Sequence, residues 1–212
     1  MLFHLVKKDF LLVKKYILFM SLVAIGMPFF MIWRTPMLAG PVSFLFTVFF
    51  VAFILCQYVS QIESKYPKAH ALLCAAPYSR SSIVKAKYVF FLIVFVICLI
   101  IYSAFSMIFP QIKMLDISEI LLILLIGAIP FGIYMPLEFK FGYEKTKFAA
   151  MIILFGLSFG FPTLYMSNVR IDLSTWETIP AIVQCLLLAV FAMAVLGLSM
   201  LASVKIYNKK EL

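Results

Sequence analysis

Residues 88–109 read YVFFLIVFVICLIIYSAFSMIF and contain no charged side chain. A helix needs roughly 20 apolar residues to cross the hydrocarbon core of a bilayer, so this run predicts a membrane-spanning helix. Further uncharged runs of similar length, bounded by charged or turn-forming residues, lie at about 17–33, 41–61, 120–137, 148–167 and 179–204. The prediction is a single all-α domain over residues 1–212 with six transmembrane helices, leaving no room for a separate soluble domain.

The composition requires a membrane environment. Hydrophobic residues make up 65% of the chain, charged residues 13%, and the mean hydropathy is +1.11. A soluble domain of 212 residues could not bury that much apolar surface. The first run resembles a signal peptide, but it is long enough to span and no small-residue cleavage site follows it, so we expect it to be retained.

The basic residues predict the orientation. With a cytoplasmic N-terminus, fifteen of the 18 Lys and Arg face the cytoplasm, and only Arg34, Lys113 and Arg170 lie outside. The positive-inside rule favours this arrangement, with both termini in the cytoplasm. The net charge of +9 is then explained by topology, and no nucleic-acid partner is expected.

Residues 1–16 predict an amphipathic helix that lies in the membrane interface before the first span. Apolar residues recur at helical spacing, and Lys7 and other basic residues gather opposite them. The alternative is a frayed basic tail that only fixes topology. The apolar positions are Phe3, Val6, Phe10 and Val13.

The longest polar segment runs from Glu63 to Lys87 and reads ESKYPKAHALLCAAPYSRSSIVKAK. Pro67 is tolerated at a first helical position, so a short helix is expected there, ending before Pro77. Ser79, Ser81 or Ser82 would then cap the next helix. The prediction is a cytoplasmic segment over 63–82 that presents a short helix.

Two shorter features predict local structure. Glu138 and Glu144, with the lysines around them, predict a solvated ion-pair loop over 138–147. Gly156 and Gly160 form a G-x-x-x-G pair that allows close helix packing, within one subunit or between two.

The sequence lacks the residues that several kinds of chemistry require. Away from their ends the runs carry no ionisable Asp, Glu, Lys, Arg or His, which disfavours a transporter driven by protons or sodium and an intramembrane metalloprotease. The four cysteines lack metal-binding or redox spacing, so no bound metal or cofactor is expected. No phosphate-binding loop is present, and the chain is therefore expected to have no enzymatic activity of its own.

The segment 63–87 resembles a known family. A glutamate after the second span, a short helix, and then APYSR followed by SSIVKAKY are similar to the cytoplasmic coupling segment of type-2 ABC transporter permeases. The basic N-terminal helix and PLEFKFGYEKTKF at 136–148 agree with that family. Within it the chain most resembles the membrane subunits of phenol-soluble modulin exporters, which expel amphipathic cytolytic peptides. Bacitracin-resistance and lantibiotic-immunity permeases are close in size and pattern.

The resemblance implies a permease subunit in the bacterial plasma membrane that exports amphipathic peptides or similar antimicrobial or lipid-like molecules. Two permeases, identical or related, would pair with two ATPase subunits that bind ATP and Mg²⁺, and the N-terminal helix would be the interfacial elbow. Residues 66–73 would enter a groove of the ATPase, with two further residues flanking them. The residues given this role are Tyr66, Pro67, Lys68, Ala69, His70, Leu72, Leu73, Tyr78 and Arg80.

A second hypothesis belongs to another functional class. It is a non-transporting membrane immunity or assembly factor that binds a toxic peptide or another membrane protein directly. Copurification with an ATPase that carries a phosphate-binding loop would distinguish the exporter permease from this alternative.

Overall fold

The computed structural model describes residues 2–34, 40–66, 79–109, 112–166 and 180–209. Within these ranges the chain forms helices and no strand, in agreement with the predicted all-α class. The seven described helices are α1 (Leu2–Leu12), α2 (Lys14–Arg34), α3 (Pro41–Lys65), α4 (Arg80–Ile108), α5 (Ile117–Phe141), α6 (Tyr143–Met166) and α7 (Ala181–Asn208).

Five of these helices are long and apolar enough to cross a membrane: α2 as far as Trp33, α3, α4, α5 and α7. They coincide with five of the six predicted spans. The remaining predicted span, 148–167, largely overlaps α6, which is helical but is not among those five. A sixth crossing therefore stays a prediction.

Helices α4 and α5 begin earlier than the uncharged runs, because capping side chains start them. Helix α4 begins eight residues before the apolar run, where the Ser79 hydroxyl accepts a hydrogen bond from the Ser82 backbone N–H at 3.3 Å. Ser79 is thus the cap among the three serines considered. Helix α5 begins with a capping box, in which the Glu119 carboxylate accepts from the Asp116 backbone N–H at 2.9 Å.

The segment 138–147 is not the solvated loop that the sequence suggested. Helix α5 continues to Phe141, Gly142 adopts a φ of +80°, and α6 starts at the next residue. Glycine takes this conformation without steric penalty, so one residue joins the two helices. Glu144 does form the expected exposed pair, 2.6 Å from Lys147, and this hydrogen bond raises the pKa of the lysine.

Helix α1 differs from the predicted amphipathic helix in its length and in the face it buries. It ends at Leu12, so the basic residues at 14 and 15 belong to α2. Leu5, Val6 and Asp9 are buried, whereas Phe3 is 79% exposed. The buried face is shifted because Asp9 is drawn into the bundle by the lysines described below.

The bundle is tied together by a small hydroxyl network between α4, α5 and α7. The Tyr88 hydroxyl lies 2.7 Å from Ser199 Oγ and 2.9 Å from Ser203 Oγ, and Ser199 donates to the Gly132 carbonyl at 2.6 Å. A Cβ placed on Gly132 would lie 3.4 Å from Ser199 Cβ, so this glycine allows the close approach of α5 and α7. The network fixes α4 against α5 and α7.

Candidate functional site: a buried ion cluster

Four charged side chains from three helices meet where α1 crosses the bundle. Lys8 and Asp9 lie on α1, Glu63 lies near the end of α3, and Lys87 lies near the start of α4. We call these four residues the ion cluster. The Lys8 ammonium is 3.1 Å from Asp9 Oδ1 and 2.6 Å from Glu63 Oε1, and the Lys87 ammonium is 3.4 Å and 2.9 Å from the same two oxygens.

The ion cluster forms a closed alternating arrangement. Each lysine contacts both carboxylates, and the formal charges of the four residues sum to zero. Asp9 is 1% exposed and Lys87 is 5% exposed, while Lys8 and Glu63 are partly covered. Charges taken out of water are tolerated only when opposite charges and hydrogen bonds compensate them. Each member of the ion cluster therefore depends on the others.

Aromatic contacts on either side hold α1 and α2 in the position that this pairing needs. The Phe10 and Phe90 rings, one residue beyond Asp9 and three beyond Lys87, have centroids 4.8 Å apart. The Tyr16 and Tyr58 rings, on α2 and α3, are 3.7 Å apart. Such pairs contribute about 0.5–1.5 kcal/mol each beyond area burial. They position the neighbouring charges.

A second polar group lies in the same region of the bundle. The Oε2 atom of Glu138, on α5, is buried without a hydrogen-bond partner among the described residues. The hydroxyls of Ser60 and Tyr134 lie beside this carboxylate, but that of Tyr134 is outside hydrogen-bonding geometry. The expectation that Glu138 is solvated is therefore wrong, because α5 continues past it and turns it toward α3.

The arrangement is suited to a mechanical role. In the part of the chain that the structure describes, no group of His, Cys, Asp and Glu side chains is placed to hold a metal ion. The ion cluster instead connects α1 with the two helices that flank segment 67–78. A displacement of that segment would pull on Glu63 from one side and on Lys87 from the other.

The residues expected to couple to an ATPase are described only at the two ends of their segment. Tyr66 follows α3 and is 64% exposed, and Arg80 begins α4 and donates from Nη1 to the Asn208 carbonyl at 3.2 Å. The others lie outside the described residues: Pro67, Lys68, Ala69, His70, Leu72, Leu73 and Tyr78.

The glycine pair and the cysteines add no chemistry to the site. A Cβ on Gly156 or on Gly160 would meet no atom within 4 Å among the described residues, so each position has room for a side chain. Cys56 and Cys98 are buried free thiols, and Cys185 is partly exposed. Cys74 lies outside the described ranges.

Removing one charge of the ion cluster should destabilise the protein strongly. We expect Lys87→Met to lower the free energy of unfolding by about 3–5 kcal/mol, because it leaves buried carboxylates uncompensated. Lys85→Met is the matched control, since Lys85 is exposed on the same helix and its loss should change little. Unfolding of the solubilised protein in SDS measures the change in the free energy of unfolding for each variant. Equal effects of the two substitutions would contradict the assignment.

The two partly buried glutamates, Glu63 and Glu138, should respond oppositely to the same substitution. Glu63→Gln removes the partner of two lysines and should destabilise the protein by more than about 2 kcal/mol. Glu138→Gln should be neutral or stabilising, because the ion cluster is already neutral without Glu138 and its Oε2 atom has no partner. The same unfolding assay compares them, and a large loss with Glu138→Gln would show that its carboxylate is compensated.

Comparison with known proteins supports a transport role for this architecture. The sequence model of the ABC-2 family of transporter proteins matches residues 4–208, which includes every member of the ion cluster. No curated protein matches the chain significantly. The chain belongs to the ABC-2 transporter family, as a multi-pass membrane subunit that works with an ABC ATPase subunit.

Proposed function

We propose that this chain is the permease subunit of an ATP-driven exporter of amphipathic peptides, similar to phenol-soluble modulins, or of similar antimicrobial or lipid-like molecules. The observation that carries the proposal is the ion cluster. It connects the N-terminal helix with both helices that border segment 67–78, so motion imposed on that segment reaches three helices at once.

The proposed coupling route follows from the positions of the charged residues. Glu63 precedes Tyr66 by three residues, and Lys87 follows Arg80 by seven, about two helical turns. An ATPase that moves residues 66–80 would therefore act directly on the end of α3 and the start of α4, which the ion cluster holds together. ATP and Mg²⁺ would bind to the ATPase, and this chain would convert closure of the ATPase into a shift between membrane-helix arrangements.

The proposed orientation has both termini in the cytoplasm. The ion cluster places α1, the end of α3 and the start of α4 on one side of the bundle, and the Arg80–Asn208 hydrogen bond places the end of α7 there too. Most of the basic residues gather on this side, as the positive-inside rule requires of a cytoplasmic face.

The proposed assembly contains two ATPase subunits and a second permease, identical or related. Gly156 and Gly160 support such a partner, since they form a G-x-x-x-G pair on α6. Small residues at this spacing let helices of two subunits approach closely.

The proposed cargo agrees with the composition of the chain. The chain contains 23 Phe and 12 Met, whose side chains adapt to varied apolar shapes. The charges that the structure buries are gathered at one end of the bundle, in the ion cluster and at Glu138. A path through the remaining helices would suit the apolar face of an amphipathic helix.

Apolar residues in segment 67–78 should be needed for binding the ATPase. We expect Leu72→Asp with Leu73→Asp to abolish copurification of the ATPase while membrane insertion is unchanged, because the segment lies outside every span. Leu72→Met with Leu73→Met is the control, since it keeps an apolar contact of similar volume. Copurification of the ATPase with the Asp variant at the wild-type level would rule out this docking site.

The exporter function is tested by ATP hydrolysis. The ATPase and this chain, reconstituted together in lipid, should hydrolyse ATP faster when an amphipathic helical peptide is added. A scrambled peptide of the same composition, without an apolar face, should have no effect. The difference separates recognition of an amphipathic cargo from a general effect of hydrophobic peptides.

Each outcome of this assay decides a different part of the proposal. Stimulation by the amphipathic peptide alone supports a coupled peptide exporter. A complex that ignores both peptides keeps the permease role and rejects the cargo. Failure to form any complex rejects the exporter and favours the immunity or assembly factor.

A further inference from the structure

A groove runs along the side of the bundle between α2 and α4, with α3 as its floor. Its walls include Phe10, Ile17, Ser21, Ala24, Leu55 and Ile97, and we call it the α2 groove. It is shallow and open on one side, and the space in it, counted out through that opening, is about 350 Å³. Since α2 and α4 are both candidate membrane spans, we expect the open side of the groove to face lipid.

The walls of the α2 groove offer almost no hydrogen bonds. Its lining residues are apolar except for Ser21, whose hydroxyl already donates to the Leu18 carbonyl at 2.8 Å. A charged or strongly polar ligand group would lose its hydration there without compensation. The groove is therefore suited to a hydrocarbon chain.

The end of the groove nearest the N-terminus is strongly basic. Lys14 lies on the same face of α2 as Ile17, Ser21 and Ala24, at spacings of three, seven and ten residues. Lys14 and its neighbour Lys15 are both exposed. Neither makes an ion pair within the described ranges, in contrast to Lys8 in the ion cluster. Lys14 thus lies one turn from the apolar groove, and Lys15 is the next residue on the same helix.

We propose that the α2 groove binds one acyl chain of an anionic phospholipid, whose phosphate is held by Lys14 and Lys15. From Lys14 to Ala24 the helix rises about 15 Å, which is half of the roughly 30 Å hydrocarbon core. The site therefore matches a lipid in one leaflet. Assignment to the inner leaflet rests on the orientation proposed above, but lipid binding itself does not.

Charge favours a lipid over a second copy of this chain. A two-fold interface through the groove would bring the same basic residues of both copies together. Like charges at a shared surface repel, and the whole chain carries a net charge of +9. An anionic headgroup instead neutralises the two lysines.

The test is lipid binding by the full purified chain, delipidated in detergent and observed by native mass spectrometry. Phosphatidylglycerol and phosphatidylcholine with identical acyl chains are titrated separately. Each lysine near an anionic surface contributes about fivefold in affinity, so the wild type should prefer phosphatidylglycerol by roughly 25-fold. This readout does not depend on the ATPase or on transport.

Two pairs of variants separate the headgroup from the acyl chain. Lys14→Gln with Lys15→Gln should remove the preference for phosphatidylglycerol, whereas Lys205→Gln with Lys209→Gln removes as much charge elsewhere and should retain it. Ser21→Trp fills the groove and should lower the affinity for both lipids at least tenfold. Leu22→Trp introduces the same side chain at the next residue, which is 64% exposed and outside the groove, and this variant should bind both lipids as the wild type does.

The results that overturn the proposal are distinct. Unchanged preference after loss of Lys14 and Lys15 would reject the headgroup site, and unchanged affinity with Ser21→Trp would reject the groove as the acyl site. If Ser21→Trp changes only the number of copies in the protein oligomer, the groove is assigned to a second copy of the chain. If it changes only the binding of an amphipathic peptide, the groove is assigned to cargo.

Discussion

The neutralisation of buried charge at the ion cluster is the constraint on which the arrangement of the helices depends. Asp9 and Lys87 are almost completely buried, and each would be strongly destabilising alone. Their pairing with Lys8 and Glu63 fixes the rotation of α1, its crossing over α4 and the separation of α3 from α4. Apolar packing alone would allow α1 to turn or slide, because Leu and Phe contacts are not directional. The charges therefore specify one arrangement.

The membrane-spanning core was predictable because it depends on a local property, the length of an uncharged run. The helix start at Ser79 was also predictable, since a cap acts within one turn. The ion cluster was not, because Lys8 and Glu63 are 55 residues apart and Asp9 and Lys87 are 78 apart. Each residue lies next to an apolar run, where a charged side chain normally reaches water. The presence of a lone Asp9 among the N-terminal lysines was the available signal for a pairing partner.

Two differences between sequence and structure have the same origin. Phe3 fits the apolar spacing of α1, yet it is exposed because the helix turns Asp9 inward. Glu138 lies in a stretch rich in charge, yet its Oε2 atom is buried because α5 continues past it to Phe141 and turns it toward α3. In both cases a contact with a distant helix outweighed the local pattern. The role of residues 67–78 rests on the resemblance alone, and it remains a prediction.

Phe10 connects the ion cluster with the α2 groove. It follows Asp9 directly, its ring packs on Phe90 one turn beyond Lys87, and it also lines the groove. A displacement of α1 would therefore change both the ion pairs and the shape of the groove. If α1 adopts two arrangements during the transport cycle, a ligand that prefers one of them must shift the equilibrium at the other site by the same free energy. An anionic lipid in the groove would then influence how easily the end of α3 and the start of α4 move, although it touches neither Glu63 nor Lys87.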